Sequence, residues 1–248
     1  MAVSELWLIR HGESTGNAAA AAANAASAEV IVIDKRDADV PLSPVGVQQG
    51  EALGVGLRPL LDGRPLLLWS SPYVRAVQTA EVSFAAAGSP QPIAVDERLR
   101  DRELGILDLL TTKGVANRYP IEAERRRWLG KFYHRPPGGE SWADVVLRLR
   151  SFLRDLEQIP GVPDDARAVI ICHDAIVLLF RYVLQQFSEA QVLDIGATEP
   201  VRNVSITQFD RGNDGRWQLI RYNDVSHLEQ TGAPITEHRG EVDVPTDR

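Results

Sequence analysis

The sequence predicts a three-layer α/β/α sandwich: a mostly parallel sheet with helices on both faces and a helical insertion near 106–140. Three observations predict it. Apolar runs at 6–9 (LWLI), 66–69 (LLLW) and 168–172 (AVIIC) have the length of buried strands. Helical patterns separate them, and strand–helix alternation builds a sheet covered on both faces. Each run ends in polar residues: Arg10-His11, Ser70-Ser71 and His173-Asp174. Ligands of such sheets bind beyond the carboxyl ends of the strands. Two histidines distant in the chain are therefore expected at one crevice.

The elements follow in order. Residues 18–28 hold nine alanines among eleven positions, which suits a marginal helix or a mobile flap. A second apolar run lies at 30–33. Ser43 is a fitting N-cap and Pro44 a fitting first residue for a helix through Gln49, Leu53 and Leu57. A helix carrying Arg75 and Thr79 follows the second strand, and 93–95 reads as a short strand. The segment 141–158 places Trp142, Val145, Val146, Leu149, Phe152, Leu153 and Leu156 at helical spacing. Residues 175–187 read as an apolar helix. Residues 203–209 and 217–222 flank Gly212-Asn213-Asp214-Gly215 as a hairpin. One domain over 1–232 is expected, followed by a loose polar tail, 233–248.

Composition narrows the function classes. The chain has 248 residues, 44% hydrophobic and 25% charged, enough for a large core without covalent staples. Its single cysteine, Cys172, excludes internal disulfides and cysteine zinc clusters, suits a reducing compartment, and is expected to pack inertly. The N-terminus lacks a charged-then-apolar leader pattern and no apolar run reaches spanning length, so a cytoplasmic location without membrane partners is expected. The net charge of -7 and pI near 5.3 argue against nucleic acid as a partner. No histidine pair has HExxH spacing, so neither metal nor other cofactor is expected.

The strongest motif is Arg10-His11-Gly12-Glu13-Ser14-Thr15-Gly16-Asn17. It resembles the RHG signature of the histidine phosphatase superfamily, which includes the cofactor-dependent phosphoglycerate mutases. Six further segments match in order: PLSPVGVQQGEAL (41–53), SSPYVRAVQTAE (70–81), ERLRDRELG (97–105), PPGGESWADV (136–145), VIICHDA (169–175), and NVSIT with RYNDVSHL in the closing hairpin. The resemblance implies the phosphoglycerate mutase-like fold and a phosphohistidine mechanism on a small phosphorylated metabolite. It makes His11 the nucleophile and Arg10, Arg75 and His173 the holders of the phosphoryl oxygens. Ser14 and Asn17 would add donors, and Glu13 and Ser70 would orient the histidines.

This residue set suits the chemistry. A phosphoryl group in transfer spreads charge over three equatorial oxygens, so several fixed donors must converge on one point. Arginine forks are planar and permanently charged. The leaving alcohol needs a proton from a carboxylic acid. By family position that acid is Asp101, where many relatives carry Glu. Asp174, where the branch usually has Gly, and Glu103 are alternatives.

Some readings stay open. Arg125, Arg126 and Arg127 form a solvated helix face, or else Arg127, Lys131 and Arg135 bind substrate. The latter spacing is similar to that of domains cleaving fructose 2,6-bisphosphate. The characteristic W-R-R-S-Y run of the mutases is absent, which favours hydrolysis over phosphotransfer. A catalytically silent phospho-binding module is the non-enzymatic alternative. His134, His227 and His238 are expected to be ordinary.

Overall fold

The computed structural model describes residues 3–238. Among them, six strands form one sheet in the order β3-β2-β4-β1-β5-β6. The strands are β1 (Val3–Arg10), β2 (Leu66–Ser70), β3 (Ile93–Val95), β4 (Ala166–Cys172), β5 (Ile206–Arg211) and β6 (Trp217–Asp224). The first four in sheet order run parallel, and β5 and β6 add an antiparallel hairpin beside β1. The expected mostly parallel sandwich is what forms.

Strand alternation divides the core in two. Leu6, Leu8, Ala168 and Ile170 face α6 (Trp142–Leu156) and α7 (Asp174–Leu184). Trp7, Ile9, Val169 and Ile171 face α2 (Pro44–Leu57) and α3 (Val74–Ala86). On α6, Val145, Leu149 and Phe152 are buried at intervals of four and three residues. Its N-cap Ser141 and Asp144 exchange backbone and side-chain hydrogen bonds in a capping box. Ser43 caps α2 as expected: its Oγ accepts from the Gly46 N–H at 3.0 Å.

Other elements bear out, extend or depart from the sequence reading. The alanine-rich stretch is helical as α1 (Thr15–Ala25), started by a capping box between Ser14 and Asn17. The apolar run at 30–33 makes one bridge, Val30 with Leu110, and no strand. Leu109, at φ 57, turns its segment away after that pairing. The insertion supplies α4 (Thr112–Arg118) and α5 (Pro120–Tyr133). The helix α8 (Glu189–Thr198) buries Val192 alone, so it lacks the apolar stripe that would have revealed it. A short α9 (Ser226–Thr231) follows β6. Among the described residues no helix is long and apolar enough to cross a membrane.

The tail is also different over its described part. The Gln49 side-chain amide donates to Pro234 O at 2.9 Å and to Thr236 Oγ1 at 2.8 Å. Asn203 N–H donates to Thr236 O. Residues 234–238 are thus tied to the domain, because their polar groups complete the hydrogen bonding of the Gln49 and Asn203 side-chain amides. The rest of the expected tail, 239–248, lies outside the described residues.

One contact sets how closely α2 approaches the loop after β1. A Cβ on Gly46 would lie 2.0 Å from Glu13 O, against rigid backbone. Gly46→Ala should therefore lower unfolding stability by about 1–3 kcal/mol, the usual cost of overpacking. A urea titration should show an earlier midpoint with an unchanged slope.

Candidate active site

The strand register builds the site. Arg10 pairs with Cys172 across the parallel β1–β4 ladder, and His11 N–H donates to Cys172 O at 2.9 Å. The next residues, His11 and His173, lie two positions beyond Ile9 and Ile171, which share a face. Neighbouring strands are about 4.8 Å apart, and the two imidazole centroids are 5.1 Å apart. Both rings are buried.

Their protonation is fixed by partners. His11 Nδ1 is 2.6 Å from Gly12 O, which can only accept. The proton therefore sits on Nδ1, and Nε2 carries the lone pair. Arg75 Nε–H points at that lone pair from 3.3 Å. Ser71 Oγ accepts from Tyr73 N–H at 3.2 Å and is 2.8 Å from His173 Nε2. Asp101 Oδ2, 3.3 Å from His173 Nδ1, favours the proton on Nδ1, and Nε2 then accepts from the Ser71 hydroxyl. Burial, together with the charges of Arg75 and Arg10, holds the pKa of His11 well below its usual value. Burial and Arg75 do the same to His173. Both imidazoles are neutral at neutral pH.

Cations and acids surround the pair. Arg75 donates from Nη1 and Nη2 to both carboxylate oxygens of Asp37, at 3.0 and 3.1 Å, and from Nη1 to Asp37 O at 2.6 Å. Asp101 Oδ2 lies 3.5 Å from Arg75 Nη2 and 3.3 Å from His173 Nδ1. Its Oδ1 accepts from Arg102 N–H. Burial, then the charge of Asp174, pushes the Asp101 carboxyl up to about 7, against the pull of Arg75. Arg10 is buried and donates to Val201 O. Two buried nitrogens of the site, Arg10 Nε and His173 Nδ1, make no hydrogen bond among the described residues, although Asp101 Oδ2 lies near the second. Such donors fit an anionic oxygen.

The loop carrying these groups is held from several sides. Gly12 N–H donates to Thr79 Oγ1, Glu13 N–H to Gln49 Oε1, and the Asn203 amide to His11 O. Ser43 Oγ donates to Glu13 Oε1, and His238 Nε2 is 3.0 Å from Glu13 Oε2.

A cleft of about 390 Å³ opens here. It gathers Arg10, His11, Ser14, Asn17, Arg75 and Asp101. Asp174, Glu103 and Lys131 also line it. His173 is fully buried and is not among the lining residues; its ring packs against those of His11 and Tyr73. Arg127 is exposed on α5 and is not part of the lining. Arg135 pairs with Asp144 instead. The two bases expected to act with Lys131 therefore point elsewhere, because the helix breaks at Gly130, whose φ is 74.

Two orienting roles move to other residues. Ser70 Oγ donates to Ser71 O, so Ser71 and not Ser70 touches His173. Glu13 anchors the loop to α2 and to His238, and no hydrogen bond links it to either central imidazole. Asp37, Tyr73, Thr79, Gln49, Asn203 and His238 were missed as site residues. Thr79 and Gln49 lay inside recognised motifs, whereas Asp37 and His238 had no local signal.

The chain is similar in sequence and fold to known phosphatases. The family model described as histidine phosphatase superfamily (branch 1) matches residues 6–225. A probable fructose-2,6-bisphosphatase of Schizosaccharomyces pombe is 32% identical over 69% of this chain. The match spans 36% of that protein's length, so this chain corresponds to about a third of it. A metal-independent phosphoserine phosphatase of Arabidopsis thaliana is 26% identical over 93% of this chain and 85% of its own. The solved structure of a mycobacterial glucosyl-3-phosphoglycerate phosphatase has a TM-score of 0.68 at 26% identity, covering 89% of this chain and 99% of that one. With its paired imidazoles at the ends of β1 and β4, this chain belongs to the histidine phosphatase superfamily.

Proposed function

We propose that this chain is a phosphomonoesterase that works through a phosphohistidine on His11, without a metal, on small phosphorylated molecules. What supports the reading is a neutral His11 ring at a cleft, 5.1 Å from that of His173, with two buried nitrogens nearby, Arg10 Nε and His173 Nδ1, that make no hydrogen bond among the described residues. His11 Nε2 attacks phosphorus and the P–O bond to the alcohol breaks. Asp101 gives its proton to the departing oxygen. Arg10, Arg75 and His173 Nδ1–H take the three equatorial oxygens, where charge spreads in the transition state. Asp101, now a carboxylate, then takes a proton from a water that attacks the phosphohistidine. Inorganic phosphate leaves and His11 regains its lone pair.

Asp101 suits the acid role better than its two rivals. It lies against both His173 and Arg75. Glu103 accepts from the Tyr73 hydroxyl at 2.9 Å. Asp174, at the start of α7, acts through its charge, which helps keep Asp101 protonated.

The direct test is p-nitrophenyl phosphate hydrolysis with EDTA present. Turnover should persist, and intact mass of rapidly quenched protein should show one added, acid-labile phosphoryl group. His11→Ala should abolish both. Absence of turnover and of phosphoprotein on every ester tried would leave a silent binding module.

Asp101→Asn should slow hydrolysis of alkyl phosphates by about 10²–10⁴-fold, the range for general acid catalysis. p-Nitrophenyl phosphate, whose leaving group needs little protonation, should lose far less. The pH profile follows with a definite sign. Asp101 must be protonated, so alkyl phosphate turnover should be full on the acid side and fall as pH rises through about 7. The depressed His11 pKa keeps the nucleophile neutral below its ordinary titration range. Steady-state kinetics from pH 5 to 9 should show the alkaline limb in the native protein and none in Asp101→Asn.

Ser71→Ala removes the hydroxyl that donates to His173 Nε2. It should lower kcat by about tenfold, roughly the worth of one hydrogen bond of about 1.4 kcal/mol, with little change in KM. Imidazole nitrogen chemical shifts in labelled protein should show the proton on His173 redistributing between its two nitrogens.

A further inference from the structure

The cleft beyond the phosphoryl cradle has a charge pattern that selects among alcohols. Five acidic side chains line it, Asp37, Asp101, Glu103, Asp108 and Asp174; with Asp101 protonated for its role as the acid, the other four supply the negative charge. Outside the cradle, the lining cations among the described residues are Arg102 and Lys131, with His238 held by Glu13. Arg102 is turned to the carbonyls of Glu140 and His134. Lys131 Nζ rests over the Trp142 ring, 5.1 Å from its centroid. Neither presents the paired fork that a second phosphate or a carboxylate would want. The remaining lining is apolar, including Ile31, Ile33, Leu109, Leu110 and Leu178.

Occupancy sharpens the pattern. In this structure the Arg75 guanidinium is engaged by Asp37. A phosphoryl group taking those donors frees the Asp37 carboxylate within the cleft that it lines. Asp108 already feels that neighbourhood: burial, and then the charge of Asp37, raises its carboxyl above the usual range.

We infer that the site takes phosphomonoesters whose alcohol carries no second anionic group, namely an uncharged or amine-bearing alcohol with an apolar portion. The inference rests on the phosphatase reading above and narrows its substrate class. Bisphosphates and phosphorylated carboxylic acids meet an acidic wall, and the apolar lining rewards hydrocarbon.

The matched probes are glycerol 3-phosphate and 3-phosphoglycerate, which differ by a hydroxymethyl group against a carboxylate. Each is measured as a substrate by phosphate release and as a competitive inhibitor of p-nitrophenyl phosphate hydrolysis. 3-Phosphoglycerate should be at least about tenfold poorer in kcat/KM, or in inhibition constant where it is not turned over, a difference of about 1.4 kcal/mol. Added salt should shrink the gap, since screening weakens charge repulsion. Asp108 is exposed, so its substitution should leave folding intact. Asp108→Asn should narrow the ratio between the two probes, and Asp108→Lys should narrow it further. Equal or better performance of 3-phosphoglycerate in the native protein, or an unchanged ratio in both variants, overturns the inference while leaving the phosphatase reading in place. Failure to hydrolyse p-nitrophenyl phosphate would instead overturn the phosphatase reading, and this one with it.

Discussion

Everything at the site depends on the parallel pairing of β1 with β4. Register on this ladder sets Arg10 opposite Cys172, and the following residue on each strand is a histidine. A slip of one residue would turn one imidazole to the opposite face of the sheet. That slip is forbidden by the core, because Ile9 and Ile171 would leave their buried layer together with it. The hydrophobic pattern that stabilises the sheet is thus the same constraint that aligns the chemistry. The cost is the burial of two imidazoles beside two guanidiniums, and the structure accommodates it by keeping both rings neutral.

A second layer of contacts keeps the loop after β1 in place. Thr79, Gln49 and Asn203 each satisfy one backbone group between His11 and Glu13. These three come from α3, from α2 and from the turn before β5, so the loop is held from three separate elements. Thr236 links two of the holders, since it bonds to both Gln49 and Asn203. Donors held this way need no rearrangement as charge develops, which is how preorganised sites stabilise transition states.

The fold was legible where short-range chemistry decides it. Buried strands announce themselves as apolar runs, and Ser43-Pro44 marks a helix start by its own capping geometry. His11, His173, Arg75 and Asp101 were legible because they sit inside segments whose order is distinctive. What escaped notice depends on tertiary proximity. Ser70 and Ser71 differ only by which one the end of β2 turns toward His173, and composition is blind to that. Asp37 lies in a loop without periodicity, and its role exists only because the loop folds over Arg75. His238 sits in a polar tail that looked loose, since nothing local shows that Gln49 and Asn203 need partners.

The pairing of Arg75 with Asp37 has a thermodynamic consequence for binding. Arg75 is 4% exposed, and a buried guanidinium without acceptors would be strongly destabilising. Asp37 supplies those acceptors, but its side chain is 43% exposed. A phosphoryl group entering under the proposed function therefore exchanges one anion for another around a charge that stays buried. The displaced carboxylate keeps its place in the lining of the cleft, where its partial exposure lets water solvate the charge. Ground-state binding is weakened by the loss of the existing pair. A transition state with charge spread over three oxygens engages the same guanidinium together with Arg10 and His173. The cost of displacing Asp37 is carried by the bound ester and the transition state alike, so it weakens binding without raising the barrier between them, and the gain in turnover comes from donors that the spread charge engages more strongly.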